Sequence, residues 1–322
     1  MNCASSATLN AEDEKMISGF RKIVFVMAAV VLSVLFLYID FSGATVQFRY
    51  ITSIYNDDKG VELRQPEGIV CDDTSLLLVA DTGNGRLVRY SFKDGAVEGG
   101  TVEIKVEQMS YPIKTEINSK GEIYVLDRKQ RNIIRMTPKG DFRGYLRPVG
   151  LPSPASYVPR SFSLDSKDNI YILDILSQRV LILNSEGIYQ RQISFPKKYG
   201  FFSDVTVDFQ GNVLLLDSVN GMVVSAAKNA ASFSPLSASL KEYVRFPASL
   251  TTDNRGRIYL VDRNGGRVIV LGQDGSFIDS QSAMGWKEGF LNYPSQMCIN
   301  NKGEAFVTDT LNSRVQIFKI VE

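Results

Sequence analysis

One recurring stretch limits what this chain can fold into more than anything else in it. At its cleanest it starts at Pro294, runs through Met297-Cys298-Ile299, then Ala305-Phe306-Val307-Thr308-Asp309, and reaches Arg314-Val315. It reads as a proline, a short apolar strand, an Asx-and-glycine turn and a second strand ending in Asp. A tight loop follows, then Arg-Val opening a third strand. Aligned on the Asp it occurs six times, at Asp81, Asp127, Asp174, Asp217, Asp262 and Asp309, in steps of 46, 47, 43, 45 and 47 residues. Fifteen residues before each Asp stand Pro66, Pro112, Pro159, Phe202, Pro247 and Pro294. Five residues after it stand Arg86, Asn132, Arg179, Met222, Arg267 and Arg314. A period of this length, made of short strands, predicts an all-β, six-bladed β-propeller with one blade per repeat.

The ends of the repeats predict how the ring closes. The last repeat stops after three strands, at Phe318-Lys319-Ile320, whereas earlier repeats continue into a fourth. Val46 to Tyr55 alternates and is rich in β-branched and aromatic residues, so it reads as the missing strand. Two places depart from the pattern. Leu146 to Pro159 is proline-rich and predicts a long loop between blades two and three. Blade four has Phe202 and Met222 where Pro and Arg recur, and Ser225 to Ser239 predicts an irregular outer strand.

Ahead of the repeats, residues 1–20 are polar and read as a flexible tail. Arg21 and Lys22 precede an apolar run from Ile23 to Ile39, broken only by Ser33. At about 1.5 Å per residue this run reaches the short end of a bilayer span. The basic pair on its N-terminal side leaves the tail cytoplasmic and sends the rest across. Residues 21–40 therefore read as an uncleaved transmembrane signal anchor contacting the membrane through 23–39. Residues 46–322 then form a propeller on the extracytoplasmic side. The rival is a signal peptide cleaved after Ala44, since Ser42-Gly43-Ala44 is a small-x-small site.

Composition excludes several chemistries. The chain has 36 Lys plus Arg against 35 Asp plus Glu, so no basic excess supports nucleic-acid binding. It has no histidine, which removes Ser-His-Asp and Cys-His catalysis and histidine-held metals. Its cysteines, Cys3, Cys71 and Cys298, are too few and scattered for a zinc cluster. Cys71 and Cys298 fall on the first strands of blades that become neighbours on closure. Buried free thiols are the expected state, and a ring-stapling disulfide is the alternative in an oxidising compartment.

The units Asp81-Thr82-Gly83-Asn84-Gly85-Arg86-Leu87 and Asp309-Thr310-Leu311-Asn312-Ser313-Arg314-Val315 resemble the NHL repeat, with its Asp-x-x-Asn-x-Arg-Val stretch. Gly85 and Ser313 stand where that family has a histidine. The resemblance covers roughly residues 46–322 and implies a six-bladed propeller. Its fold hosts RNA binders, protein scaffolds, a peptide-amidating lyase and lactonase-like hydrolases. The lyase's zinc histidines have no counterpart here.

Candidate sites divide by whether they repeat. Asp81, Asp127, Asp174, Asp217, Asp262 and Asp309, with Arg86, Arg179, Arg267 and Arg314, recur blade by blade. They read as turn-tying architecture, each Asp accepting from loop N–H groups and from the Arg. Residues that vary between blades carry individuality. Glu67, Lys114, Arg160, Asp204 and Gln296 lie just after the proline positions, and Arg128, Arg131 and Arg263 follow the Asp. The arginines are either solvated rim charge or an anion-binding mouth for a small anionic ligand or an acidic protein partner. Glu67 and Asp204 are alternatively the start of a carboxylate-lined divalent-metal site, such as calcium, in a hydrolase or lyase. The expected function is binding, with no cofactor and no catalytic residue assigned, and the metal enzyme is the alternative.

Overall fold

The apolar runs that end in each Asp are strands buried along almost their whole length, as runs sandwiched between neighbouring sheets must be. A computed structural model describes residues 45–322, and in it every repeat folds as one four-stranded antiparallel sheet, six in all. Blade two is typical: Pro112–Ile117, Ile123–Asp127, Asn132–Met136 and Phe142–Tyr145 pair in order from the inside outward. Apolar clusters straddle adjacent blades. Val79, Val88 and Phe92 of blade one pack with Phe306, Val315 and Ile317 of blade six. There the Phe92 and Phe306 rings meet edge to face with centroids 5.1 Å apart. Burying each such side chain stabilises the ring by roughly 1.5–3 kcal/mol.

Closure follows the sequence expectation. Gln47–Ile54 pairs antiparallel with Arg314–Val321, Gln47 opposite Val321 and Ile54 opposite Val315, as the fourth strand of blade six. The described chain thus enters on the face opposite the Pro and Asp ends of the strands. The outer strand of blade four is reduced to Ser234–Pro235. The segment between blades two and three is a loop whose Val149 bridges Ile188.

The cysteines overturn one expectation. Cys71 and Cys298 are not free thiols but a disulfide between the first strands of blades one and six, with Cα atoms 6.0 Å apart. Closure brings together two residues 227 positions apart in sequence, a proximity that the general burial of lone thiols does not take into account. Among the described residues no helix is long and apolar enough to cross a membrane. The tail, the apolar run 23–39 and the cleavage-like site lie outside the described residues.

Replacing Cys71 and Cys298 together by Ser should cost about 2–4 kcal/mol, because the bridge restricts the unfolded chain. Denaturant midpoints with and without reductant read this out. Reductant should lower the wild-type midpoint and leave the double variant unmoved. A wild type indifferent to reductant would mean the bridge contributes nothing.

Candidate functional site

The site is made by a repeated irregularity in the innermost strands. In blades two to five the pairing with the second strand slips by one residue just after the Pro position, between Pro112 and Lys114, Pro159 and Ser161, Phe202 and Asp204, and Pro247 and Ser249. Blade six slips between Pro294 and Met297. A regular strand would send successive side chains to opposite faces. The bulge breaks that alternation and lets two consecutive residues per blade face the channel. Proline tolerates the adjoining position because it has no N–H to leave unpaired.

The channel mouth collects Glu67 from blade one, Lys114 and Arg128 from blade two, Arg160 and Ser161 from blade three, Ser203 and Asp204 from blade four. Blades five and six add Ser249, Arg263, Ser295 and Gln296. The cavity they leave is small, about 40 Å³. In blade one the residue equivalent to Lys114 is Gly68, where a Cβ would stand 2.9 Å from the Lys114 Cα. The absent side chain lets the two blades approach.

Two buried carboxylates are spoken for. Lys114 Nζ donates to Asp204 Oδ1 at 2.6 Å and to Ser161 Oγ at 3.0 Å, spanning blades two to four. The Ser161 hydroxyl also bonds Asp204 Oδ1, and the Leu250 N–H donates to Oδ2 at 3.0 Å. Glu67 accepts from Arg128 at 3.2 and 2.7 Å, a bidentate pair, with Arg263 Nη2 3.6 Å away. Arg263 Nη2 donates to Ser295 Oγ at 2.9 Å, and Ser295 Oγ lies 2.8 Å from Thr310 Oγ1. Two residues beyond Lys114 on the same strand face, partly buried Glu116 has its carboxyl pushed up to about 7 by burial. The nearby Lys114 charge opposes that rise and Asp204 adds to it.

Arg160 differs from all of these. Its guanidinium sits over the Phe201 ring at 5.3 Å, and it has no ion-pair or hydrogen-bond partner among the described residues, its Nε being buried and unpaired. Burial lowers its pKa, and the like charges of Arg128 and Arg263 lower it further, against Asp204 and Glu67. Four cations against two carboxylates therefore line one mouth, an excess of two positive charges, and of the four only Arg160 has no ion pair among the described residues. Guanidinium groups set this way present the N–H donors that carboxylate and phosphate oxygens accept from.

The structure thus gathers Glu67, Lys114, Arg128, Arg160, Asp204, Arg263 and Gln296 as the sequence suggested, but not Arg131. Arg131 is exposed, with φ of 53°. It occupies the left-handed position before each third strand, also taken by Gly85, Gln178, Gly221, Gly266 and Ser313. It turns the chain there and is not among the residues that line the mouth. Ser161 and Ser249 were missed, although comparing the second post-proline position across blades would have found them. The two metal candidates, Glu67 and Asp204, each face a cation, Arg128 and Lys114, and no other carboxylate lines the mouth among the described residues. Among the described residues no group of three His, Cys, Asp or Glu side chains could hold a metal.

The recurring Asp residues are architecture. Each accepts from N–H groups just before the Pro position, as Asp127 does from Ser110 and Tyr111, both at 2.7 Å. Burial pushes the Asp217 carboxyl up, but N–H donors at Gly200, Asn220 and Phe201 win and hold it low. Arg86, Arg179 and Arg314 pair with Asp81, Asp174 and Asp309 at 2.7, 3.0 and 2.7 Å. Arg267 is the exception: its Nε turns to the Gly265 carbonyl at 3.4 Å, and no ion pair with Asp262 forms among the described residues.

The family model described as NHL repeat matches residues 291–318, the last blade. Human NHL repeat-containing protein 3 is 25% identical over 197 residues, covering 54% of this chain and 56% of that protein. The chain thus spans about half the length of the curated relative it matches. Among solved structures, virginiamycin B lyase from Staphylococcus aureus covers 86% of this chain and 100% of its own, at 14% identity and TM-score 0.60. A gluconolactonase from Xanthomonas campestris covers 87% and 96%, at 12% identity and TM-score 0.61. A chain of the nidogen/laminin complex covers 73% and 92%, at 15% identity and TM-score 0.55. At such identities the likeness shows the propeller fold alone. Together with the repeat match it supports an NHL-type six-bladed propeller.

Removing one partner of the buried Lys114–Asp204 pair leaves the other charge stranded. Asp204→Leu or Lys114→Met alone should cost about 3–5 kcal/mol, and the double replacement should recover much of it. Additive losses in denaturant unfolding would show that the pair is not coupled. Glu116 sets a pH dependence. Its raised folded pKa means protonation favours the folded state, so the cost of its burial is absent below about pH 4.5 and fully felt above about pH 7. Glu116→Gln should therefore stabilise the protein at pH 8 by on the order of 2 kcal/mol and hardly at pH 4. An equal difference at both pH values would refute this.

Proposed function

We propose that the protein is a binding propeller, anchored in a membrane through residues 23–39 with its N-terminus cytoplasmic and its propeller extracytoplasmic. Its channel mouth receives one anionic group from a small ligand or a protein partner. The observation that carries the binding role is Arg160, a guanidinium without an anion between Arg128 and Arg263. Aligned donors of that kind favour carboxylate or phosphate over a neutral group. The extracytoplasmic placement is supported by the apolar run behind Arg21-Lys22 and by the Cys71–Cys298 bridge, since disulfides persist in oxidising compartments. A binding role suits a fold that one similar structure uses within a protein–protein complex.

A lyase or metal-dependent lactonase role draws no support from the residues. A histidine-to-alanine variant of the similar virginiamycin B lyase is catalytically inactive, and this chain has no histidine. A metal-dependent hydrolase would need oxygen ligands from several blades, and the mouth offers two carboxylates already engaged by Arg128 and Lys114.

Titration of the full chain with inorganic phosphate at low ionic strength, followed by calorimetry, tests the binding role. Arg160→Ala should weaken binding about tenfold or more, equivalent to about 1.4 kcal/mol. It should change folding stability by no more than about 1 kcal/mol, the worth of its contact with Phe201. Equal affinity in both proteins would remove the mouth from consideration.

A further inference from the structure

Loops on the mouth side of blade six leave an unusual amount of apolar surface in water. Tyr55, Met284, Trp286, Phe290, Tyr293 and Leu311 are all exposed, Trp286 at 74%. They come from three separate segments, yet one turn holds them together. Arg314, paired to Asp309, donates to the Lys287 and Phe290 carbonyls at 2.8 and 3.0 Å and to the Tyr55 hydroxyl at 3.2 Å. The Leu311 N–H donates to the Asn292 carbonyl at 3.1 Å, and Asn312 Nδ2 to the Gly285 carbonyl at 2.9 Å. A buried ion pair thus displays these side chains from a fixed base. Scattered exposed apolar residues are ordinary, but a cluster on tied loops marks an interaction site. Aromatic side chains are also the residue class on which interface energy concentrates.

The cluster joins the cationic mouth. Arg263 reaches Ser295, Ser295 reaches Thr310, and Thr310 is the residue before Leu311. The mouth itself, at about 40 Å³, is far below the roughly 300–1,000 Å³ of a small-molecule pocket. It has room for one anionic group and not for a whole ligand. The remainder of whatever carries that group must lie outside, on the surface at the rim.

We propose that the mouth and this apolar sector form one docking surface for a partner polypeptide segment that carries an acidic side chain beside a large apolar one. This rests on the anion-binding role of the mouth proposed above, and names what brings the anion. The acidic group enters between Arg128, Arg160 and Arg263, and the neighbouring apolar side chain covers Trp286 and Leu311. Charge complementarity selects the segment and apolar burial holds it, the usual division between steering and affinity.

Trp286 is the single tryptophan of the chain, so its fluorescence reports on the sector alone. Random peptides displayed on phage and selected on the full chain should enrich an Asp or Glu within a few residues of Phe, Leu or Ile. Tryptophan-free members of that set should shift Trp286 emission to shorter wavelength. Arg160→Ala should weaken them about tenfold and also weaken inorganic phosphate, whereas Trp286→Ala should weaken the peptides and leave phosphate binding intact. Phosphate binding without acidic–apolar enrichment, or peptides indifferent to Trp286→Ala, would overturn this inference and leave the anion site standing. Loss of both phosphate and peptide binding in the wild type would overturn both. An emission shift that depends on protein concentration alone would make the occupant a second copy, and the inference would fail.

Discussion

Six wedge-shaped sheets can bury their faces only if the ring they form has no gap, and this chain meets that condition with a strand from its far end. Gln47–Ile54 completes the sheet begun by Pro294–Ile299, Glu304–Asp309 and Arg314–Val321. Without it the outer edge of blade six would present unpaired backbone groups to any passing strand. Closure also seats blade one against blade six, which is where Phe92 meets Phe306 and Cys71 meets Cys298. Strand pairing, interblade packing and a covalent bridge all secure the same seam. The apolar sector at Trp286 hangs on that seam too, since Arg314 opens the strand that Gln47–Ile54 completes.

The channel shows how a repetitive scaffold makes a site that is not repetitive. Blades two to six supply positions of the same geometry, and the bulge after the Pro position doubles the number that face inward there. What differs is the side chain placed there. Lys114, Ser161 and Asp204 become a closed polar cluster, with the ion pair and its serine satisfying each other in a place where a lone charge would be costly. Glu67 is clamped by Arg128. Arg160 is the remainder, a cation whose neighbours are already matched. A site of this kind is poor in the carboxylates that metal chemistry needs and rich in the donors that anion recognition needs.

Much of this follows from residue type and spacing alone. Fixed spacing named the six Asp residues and the strand that closes the ring, because those depend on local turn chemistry and on period. Positions that differ between blades mark the mouth, Arg128, Arg160 and Arg263 among them. Arg131 does not line the mouth, and spacing from Asp127 cannot reveal the left-handed backbone position that it takes. Arg267 was expected to pair like Arg86 and Arg314. Its blade instead places two glycines, Gly265 and Gly266, in the loop, and the turn leaves the guanidinium on a carbonyl.

The sequence by itself determined the all-β repeat, the number of blades, the closing strand and the absence of histidine chemistry. Each of these depends only on residue type and on separation along the chain. The tertiary structure decided which charges neutralise one another, that Cys71 and Cys298 join, and that Tyr55, Trp286 and Leu311 share one surface. Those facts are distances between residues up to 259 positions apart in the chain. The bridge and the Tyr55 contact exist only once closure brings the first and last blades together, and the charge pairs only once neighbouring and facing blades surround one channel.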